Sequence, residues 1–310
     1  MGFGSAHPLA ALEGHSLKSR IAAHLIVGSR EEPFLAAALD AVEGAASVLL
    51  VNDNSTGDSP HARALAESRF GREGRLVVDR TPFENFAAAR NVCMRLHEQH
   101  DGGNWVMYLD ADEVHGEPIS QIASRLNEVP PDYDFVDGYM WHFFQSLDWY
   151  TSIDREMMFS RYKPGLHWEG AIHEQLVGLT GKRIALPYVY AHFSSVFGSR
   201  HFAEKGRHYS SLGAPGEIVP EHELDRIDTA KLFGPFYPRL MRFRGVLPPA
   251  ARSTAAQLRQ KLSGEYAQTD AAARVASPLT RLQRAFAKIN FEQRWRFRAL
   301  HPLARKLVAR

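Results

Sequence analysis

Hydrophobic positions alternate between two rhythms over the first 110 residues. Residues 21–28 (IAAHLIVG) form a short apolar run closed by Gly28, as a buried strand would. Residues 31–42 then set Phe34, Leu35, Ala38, Leu39 and Val42 at helical spacing, with Pro33 near the start, where a missing N–H is harmless. The spacing predicts a second strand over 47–51 (SVLLV), a polar loop over 52–58, a helix over 60–70 and a third strand over 75–79. A helix over 83–97 puts Phe86, Ala89, Val92, Cys93 and Leu96 on one face. A fourth strand, 105–109 (WVMYL), ends at Asp110-Ala111-Asp112-Glu113. Strands alternating with helices predict an α/β, mostly parallel, doubly wound sheet with helices on both faces. Ligands of such sheets bind beyond the carboxyl ends of the strands. Two of these strands end in carboxylate-rich loops, at Asp53 and at Asp110.

After residue 134 the pattern changes. Residues 134–197 are rich in aromatics and His, including Trp141, His142, Trp149, His167, Trp168, His173 and His192, and read as short strands and loops with a turn at Lys163-Pro164-Gly165. A helix is expected over 200–212, a break over 213–220, and a short helix and loop over 221–236. The organisation expected is an N-terminal extension (1–20), one α/β domain (21–238) and a basic helical extension (239–310).

Composition narrows this picture. Of 310 residues, 45% are hydrophobic and 23% charged, which is globular and excludes a disordered or fibrous chain. A single cysteine, Cys93, excludes an internal disulfide and a cysteine-rich zinc site. No run of 18 apolar residues occurs, so no transmembrane helix is expected. The first 20 residues lack signal-peptide order, and the Met-Gly start departs from a myristoylation signal at Ala6. A cytoplasmic location is the expectation, with peripheral contact on the inner face of the plasma membrane. The net charge of +2 hides a split: residues 239–310 carry 16 basic and 3 acidic side chains, and residues 1–238 carry 21 and 32. An acidic body with a basic tail points to an anionic partner for the tail.

Asp110-x-Asp112 at a strand end suits a divalent cation, because Mg²⁺ and Mn²⁺ take hard oxygen ligands and leave positions open for substrate phosphates. The competing reading is a solvated acidic turn ahead of a helix near Pro118. Asp53 has two readings as well. It accepts hydrogen bonds from a base or ribose, or its loop is turn chemistry in which Asp58 or Ser59 caps the next helix.

Taken in order, REEPFLAAALDAV, VNDNSTGDS, FAAARN, WVMYLDADE, the segment WEGAIHE and the strand end YAHF resemble the family 2 glycosyltransferases of the GT-A fold. The resemblance covers roughly residues 20–210 and implies an inverting, metal-dependent enzyme using a nucleoside diphosphate sugar, a UDP-sugar in the first instance. It implies donor contacts from Glu31, Asp53, Arg90 and Asp110, and Mn²⁺ or Mg²⁺ held by Asp112 with His192 and His173 as further candidates. Imidazole suits Mn²⁺ better than Mg²⁺. Arg90 either touches phosphate or braces the acidic loops. Inverting transfer needs a general base, for which Glu174 stands first, with Glu169 and Glu113 as alternatives. Trp141, Trp149 and Trp168 either stack on sugars or fill the core. The sequence departs from the family at Val27-Gly28-Ser29-Arg30 and at Asn52, where donor preference is concerned.

The acceptor implied is a hydroxyl of a cell-envelope glycan or lipid-linked glycan. A sugar nucleotidyltransferase is the nearest alternative, although Gly28-Ser29-Arg30-Glu31-Glu32 is a poor phosphate loop. A non-catalytic carbohydrate-binding or scaffold protein is the other. In the tail, Ser277-Pro278 starts a helix, and Leu279, Leu282, Phe286 and Ile289 line one face beside Arg281, Arg284 and Lys288. Residues 277–310 thus read as a surface for anionic membrane, for packing on the body or for self-association. Nucleic acid is disfavoured, since no binding module accompanies the charge.

Overall fold

The computed structural model describes residues 20–213, 219–227 and 229–275. The elements are β1 (Ile21–Val27), α1 (Leu35–Val42), β2 (Val48–Asp53), α2 (Ala62–Glu67), α3 (Arg69–Arg72), β3 (Leu76–Asp79), α4 (Phe86–Gln99), β4 (Trp105–Asp110), β5 (Glu113–Val114) and α5 (Pro118–Ser124). Then come β6 (Tyr133–Phe144), β7 (Trp149–Arg161), β8 (His167–Glu169), β9 (Gln175–Val177), β10 (Lys182–Ser195), α6 (Ser199–Ser211), α7 (Thr229–Phe233), β11 (Met241–Arg242), α8 (Arg252–Lys261) and α9 (Ser263–Arg274).

The parallel, doubly wound expectation holds over β1 to β4, which lie in the order β3-β2-β1-β4 with every pairing parallel. Alternation along the strands splits the core. Ala23, Leu25, Leu49, Val51 and Met107 pack with Leu35, Leu39 and Val42 of α1 and Ile119 of α5 on one face. Ala22 and Leu50 meet Val92 and Leu96 of α4 on the other. Each strand side chain changes face with every residue, so one apolar run serves both layers. The single helix expected over 60–70 is two, because extended Ser68 interrupts it and caps the second by accepting from the Gly71 N–H at 3.1 Å.

The aromatic-rich stretch keeps the turn at Lys163-Pro164-Gly165 and two short strands, β8 and β9, but most of it is neither short strand nor loop. It forms three long strands, β6, β7 and β10, that continue the sheet as β4-β7-β6-β10-β5. β7 runs antiparallel to β4 and β6, while β6 and β10 are parallel. The middle of β7, Arg155 and Glu156 included, is exposed and charged, which breaks the apolar pattern that marks a long strand. The path also fixes the shape. β4 and β5 are separated by two residues, a reach of about 10 Å, yet they occupy distant places along the strand order. The sheet therefore curls, bringing β10 and β5 round to the carboxyl end of β4.

Residues 239–275 are woven into this body. Met241 and Arg242 pair with β7, and Leu247, Ala251, Ala255, Leu258 and Tyr266 join Phe143 and Phe193 in a buried cluster. Residues 1–19 and the amphipathic segment 277–310 lie outside the described residues. No helix among the described residues is long and apolar enough to cross a membrane.

Candidate active site

The parallel register aligns the carboxyl ends of three strands: Val27 lies opposite Asp53, and Ile26 opposite Asp110. Above this edge opens a cleft of about 650 Å³. Arg90, Asp110, Asp112, His173, Glu174 and His192, all anticipated from the sequence, line it together. They come from α4, the β4–β5 turn, the β8–β9 hairpin and β10, segments spread over 100 residues.

The acidic turn is anchored from the far side of the curl. Glu113 sits opposite His192 in the β5–β10 ladder, and the Phe193 N–H donates to the Asp112 carbonyl at 2.9 Å. This pairing brings His192 Nε2 to 3.3 Å from Asp112 Oδ1. Burial would raise the Asp112 carboxyl, but His192 beside it, with help from Lys205, holds it below the usual range. Glu113 is buried, and its Oε2 accepts from the Asp110 N–H at 3.2 Å. Burial together with the charges of Asp110 and Asp112 pushes the Glu113 carboxyl well up.

Arg90 ties the turn to the hairpin. Its Nε donates to Glu174 Oε1 at 2.5 Å and its Nη2 to Asp110 Oδ1 at 3.2 Å, with the guanidinium 5.2 Å from the Trp168 ring centroid. Burial lowers its pKa, yet the two carboxylates outweigh that and raise it above the ordinary value, so Arg90 stays charged. Asn91, one residue on, clamps the same hairpin: Nδ2 donates to the Trp168 carbonyl at 2.9 Å and Oδ1 accepts its N–H at 2.8 Å. Arg90 thus has the bracing geometry while still facing the cleft.

Two anticipated donor contacts fall elsewhere. Asp53 is buried at the end of β2 and does not line the cleft; its Oδ1 accepts from the Ser55 N–H at 3.1 Å. Burial raises its carboxyl, but hydrogen bonds from Ser55 and Ser59 and the charge of Arg80 leave it below the ordinary value. Its loop neighbours Asn54 and Thr56 line the cleft instead. Glu31 is exposed and outside the lining, while Glu32 turns in. A turn closed by the Leu35 N–H on the Glu32 carbonyl sets this choice, with Phe34 buried against Phe193. Burial, then Asp112, raises Glu32 to about 7, against Arg30 and Lys205. Lys205, His208 and Tyr209 of α6 also line the cleft. One helix face carries all three, with no motif to announce them.

A second cleft, of about 530 Å³, shares Arg90, Asp110, His173 and Glu174 with the first. Trp168 lines it, Trp149 packs against Phe233 and Leu240 in the core, and half-buried Trp141 packs against Phe243 while lining a separate cleft with Phe143 and Tyr190. Glu113 lines this second cleft, and Glu169 pairs at the surface with His167 at 3.0 Å. His173 is exposed on the hairpin with a left-handed backbone, φ 55°.

Among the described residues no group of three or more His, Cys, Asp or Glu is arranged to hold a metal by itself. Asp112 and His192 supply one oxygen and one nitrogen side by side at the cleft wall. That donor set fits a cation whose remaining positions are filled by substrate phosphates and water, and does not make a protein-only cage.

No protein-family model matches the chain, and no curated protein matches it. Among solved structures, it is similar to glucosyl-3-phosphoglycerate synthase from Mycobacterium tuberculosis in complex with Mn²⁺, UDP and glucosyl-3-phosphoglycerate. That likeness has 16% identity over 39% of this chain and 44% of the other, with a TM-score of 0.28. It is also similar to GalNAc-T7 with UDP, GalNAc and Mn²⁺, at 10% identity over 72% of this chain and 59% of the other, with a TM-score of 0.38. Both are glycosyltransferases. The chain spans less than two thirds of either, and likenesses this distant carry no argument about its chemistry.

Proposed function

We propose that the chain is an inverting, metal-dependent glycosyltransferase of the GT-A, family 2 kind. It would move a sugar from a nucleoside diphosphate donor to a hydroxyl of a cell-envelope or lipid-linked glycan. One observation carries the reading: Asp110, Asp112 and His192 converge with Arg30 and Lys205 on one cleft at the carboxyl edge of the parallel strands. Asp112 and His192 would hold Mn²⁺ or Mg²⁺. A cation there supplies positive charge against the diphosphate that leaves. Arg30 and Lys205 would add fixed positive charge to the same phosphates. Asn54 and Thr56, at the end of β2, take the role expected of Asp53 toward base or ribose, and Asp110 faces the ribose.

Glu174 is the general base of this proposal. Arg90 holds its Oε1, leaving the other oxygen to take the acceptor hydroxyl proton as that oxygen attacks the sugar. Glu174 lies on the wall between the two clefts, so the acceptor enters from the second, over Trp168. Residues 277–310 would rest on an anionic membrane from the cytoplasmic side, each Lys or Arg adding about 1 kcal/mol.

UDP and Mn²⁺, the pair bound in the two distant structures, are the first probes. Together they should raise the melting temperature of the wild-type protein more than either alone, by mass action. Asp112→Ala should lose the joint effect. An equal joint shift in that variant would sink the reading.

A further inference from the structure

His192 is the inner end of a chain of side chains that leads out of the cleft. Its Nδ1 lies 3.0 Å from Nδ1 of His142, the residue opposite it in the β6–β10 ladder. His142 Nε2 lies 3.2 Å from Asp154 Oδ2, yet makes no hydrogen bond in this arrangement. Asp154, on β7, is half exposed and also accepts from Ser152 Oγ at 2.6 Å. At the other end His192 Nε2 meets Asp112 Oδ1 at 3.3 Å. The β4–β5 turn and three strands, β10, β6 and β7, thus line up Asp112, His192, His142 and Asp154.

The hydrogens available to these side chains limit how the chain can be arranged. Each junction, Asp112–His192, His192–His142 and His142–Asp154, needs one hydrogen between its two atoms. When both imidazoles are neutral each carries one ring hydrogen, and one junction then goes without. The bare junction is placed at His142 Nε2, a buried nitrogen without a hydrogen-bond partner that faces the more exposed of the two carboxylates. In that arrangement His192 Nε2, 3.3 Å from the more buried carboxylate, points its hydrogen at Asp112, His142 Nδ1 donates to His192 Nδ1, and the junction at exposed Asp154 is left bare.

A cation on Asp112 and His192 reverses the order. His192 Nε2 must then be bare to bind it, so His192 carries its hydrogen on Nδ1 and donates to His142 Nδ1. His142 carries its own on Nε2, facing Asp154. The protons balance: Nε2 of His192 gives one to solvent, the inner proton passes from His142 to His192, and Nε2 of His142 takes one from solvent.

We infer that His142 and Asp154 are positioning residues that select the metal-binding tautomer of His192 without touching the metal. Outer partners of this kind ordinarily alter affinity by 10–100-fold. The inference rests on Asp112 and His192 being the metal ligands, and the test separates the two claims.

The full-length protein, labelled with ¹⁵N-histidine, is titrated with Mg²⁺ plus UDP, and the His192 tautomer is read from long-range ¹H–¹⁵N spectra. Mn²⁺ affinity, with and without UDP, is measured by electron paramagnetic resonance of the free ion. The expected result is a shift of the His192 hydrogen from Nε2 to Nδ1 on loading. With UDP present, Mn²⁺ affinity should fall about tenfold in Asp154→Ala and in His142→Phe, and Asp154→Glu should recover part of it. Asp154 is at the surface, so its variants keep the fold if His142→Phe does not. Wild-type Mn²⁺ affinity in Asp154→Ala, with affinity lost in His192→Ala, overturns the positioning role alone. Wild-type affinity in both His192→Ala and Asp112→Ala overturns the ligand assignment beneath it.

Discussion

Replacing Arg90 with methionine tests how the site is held together. Arg90 is the only cation the structure places in direct contact with both Asp110 and Glu174 among the described residues. The Arg90 and Glu174 side chains are 14% and 12% exposed. Removing one partner of such a pair leaves a buried charge, at a cost of about 3 kcal/mol. Asp110 is 44% exposed, so its lost pairing adds about 0.5 kcal/mol after solvent screening. Loss of the guanidinium above Trp168 adds about another 0.5 kcal/mol. Methionine keeps the apolar stem, so Arg90→Met should cost about 3–4 kcal/mol, measured as the shift in urea unfolding free energy by tryptophan fluorescence. The diagnostic arm is the double variant. Adding Glu174→Gln removes the stranded charge and should recover about 2 kcal/mol. A cost under about 1 kcal/mol, or no recovery in the double variant, would refute the bridge as an energetic element.

Three further outcomes follow from particular residues. His115 is buried and unfolded it titrates near 6.5, but burial holds the folded ring near 3; stability is unaffected above 6.5 and falls as pH drops toward 3, by about 2 kcal/mol at pH 5. His115→Phe, which keeps the stack on Tyr190, should narrow its stability gap to wild type as pH falls from 6.5 to 5; a constant gap counts against the assignment. Because residues 239–275 carry core side chains, a truncation that tests the basic tail has to cut after 275. That deletion should reduce cosedimentation with phosphatidylglycerol vesicles and leave thermal unfolding in place, and unchanged sedimentation would remove the membrane role. Glu174→Gln should keep the joint thermal shift from UDP and Mn²⁺ while abolishing transfer to acceptor; loss of donor binding instead would make Glu174 a donor contact.

What could be read in the sequence divides along physical lines. β1, β2 and β4 are short runs buried on both faces, and α1 and α4 present one apolar stripe each, so local pattern carries them. β7 could not be read that way, because its centre faces the second cleft with Arg155 and Glu156 and looks like loop. The acidic turn was visible because adjacent residues make it. Glu32 in place of Glu31 depends on one turn of backbone, and Lys205 with Tyr209 depends on where α6 docks, which nothing near them in the chain encodes. His142 stood among many aromatics and histidines, and only the β6–β10 register gives it a partner.

The central claim is a metal-dependent transferase centred on Asp112. Its most direct measurement is release of nucleoside diphosphate from a panel of nucleotide sugars, with Mn²⁺ or with EDTA, for wild type and Asp112→Ala. The account predicts turnover of at least one donor by wild type with Mn²⁺, and none with EDTA or in Asp112→Ala. Turnover that survives EDTA and the Asp112→Ala change, or no turnover of any donor, would contradict it.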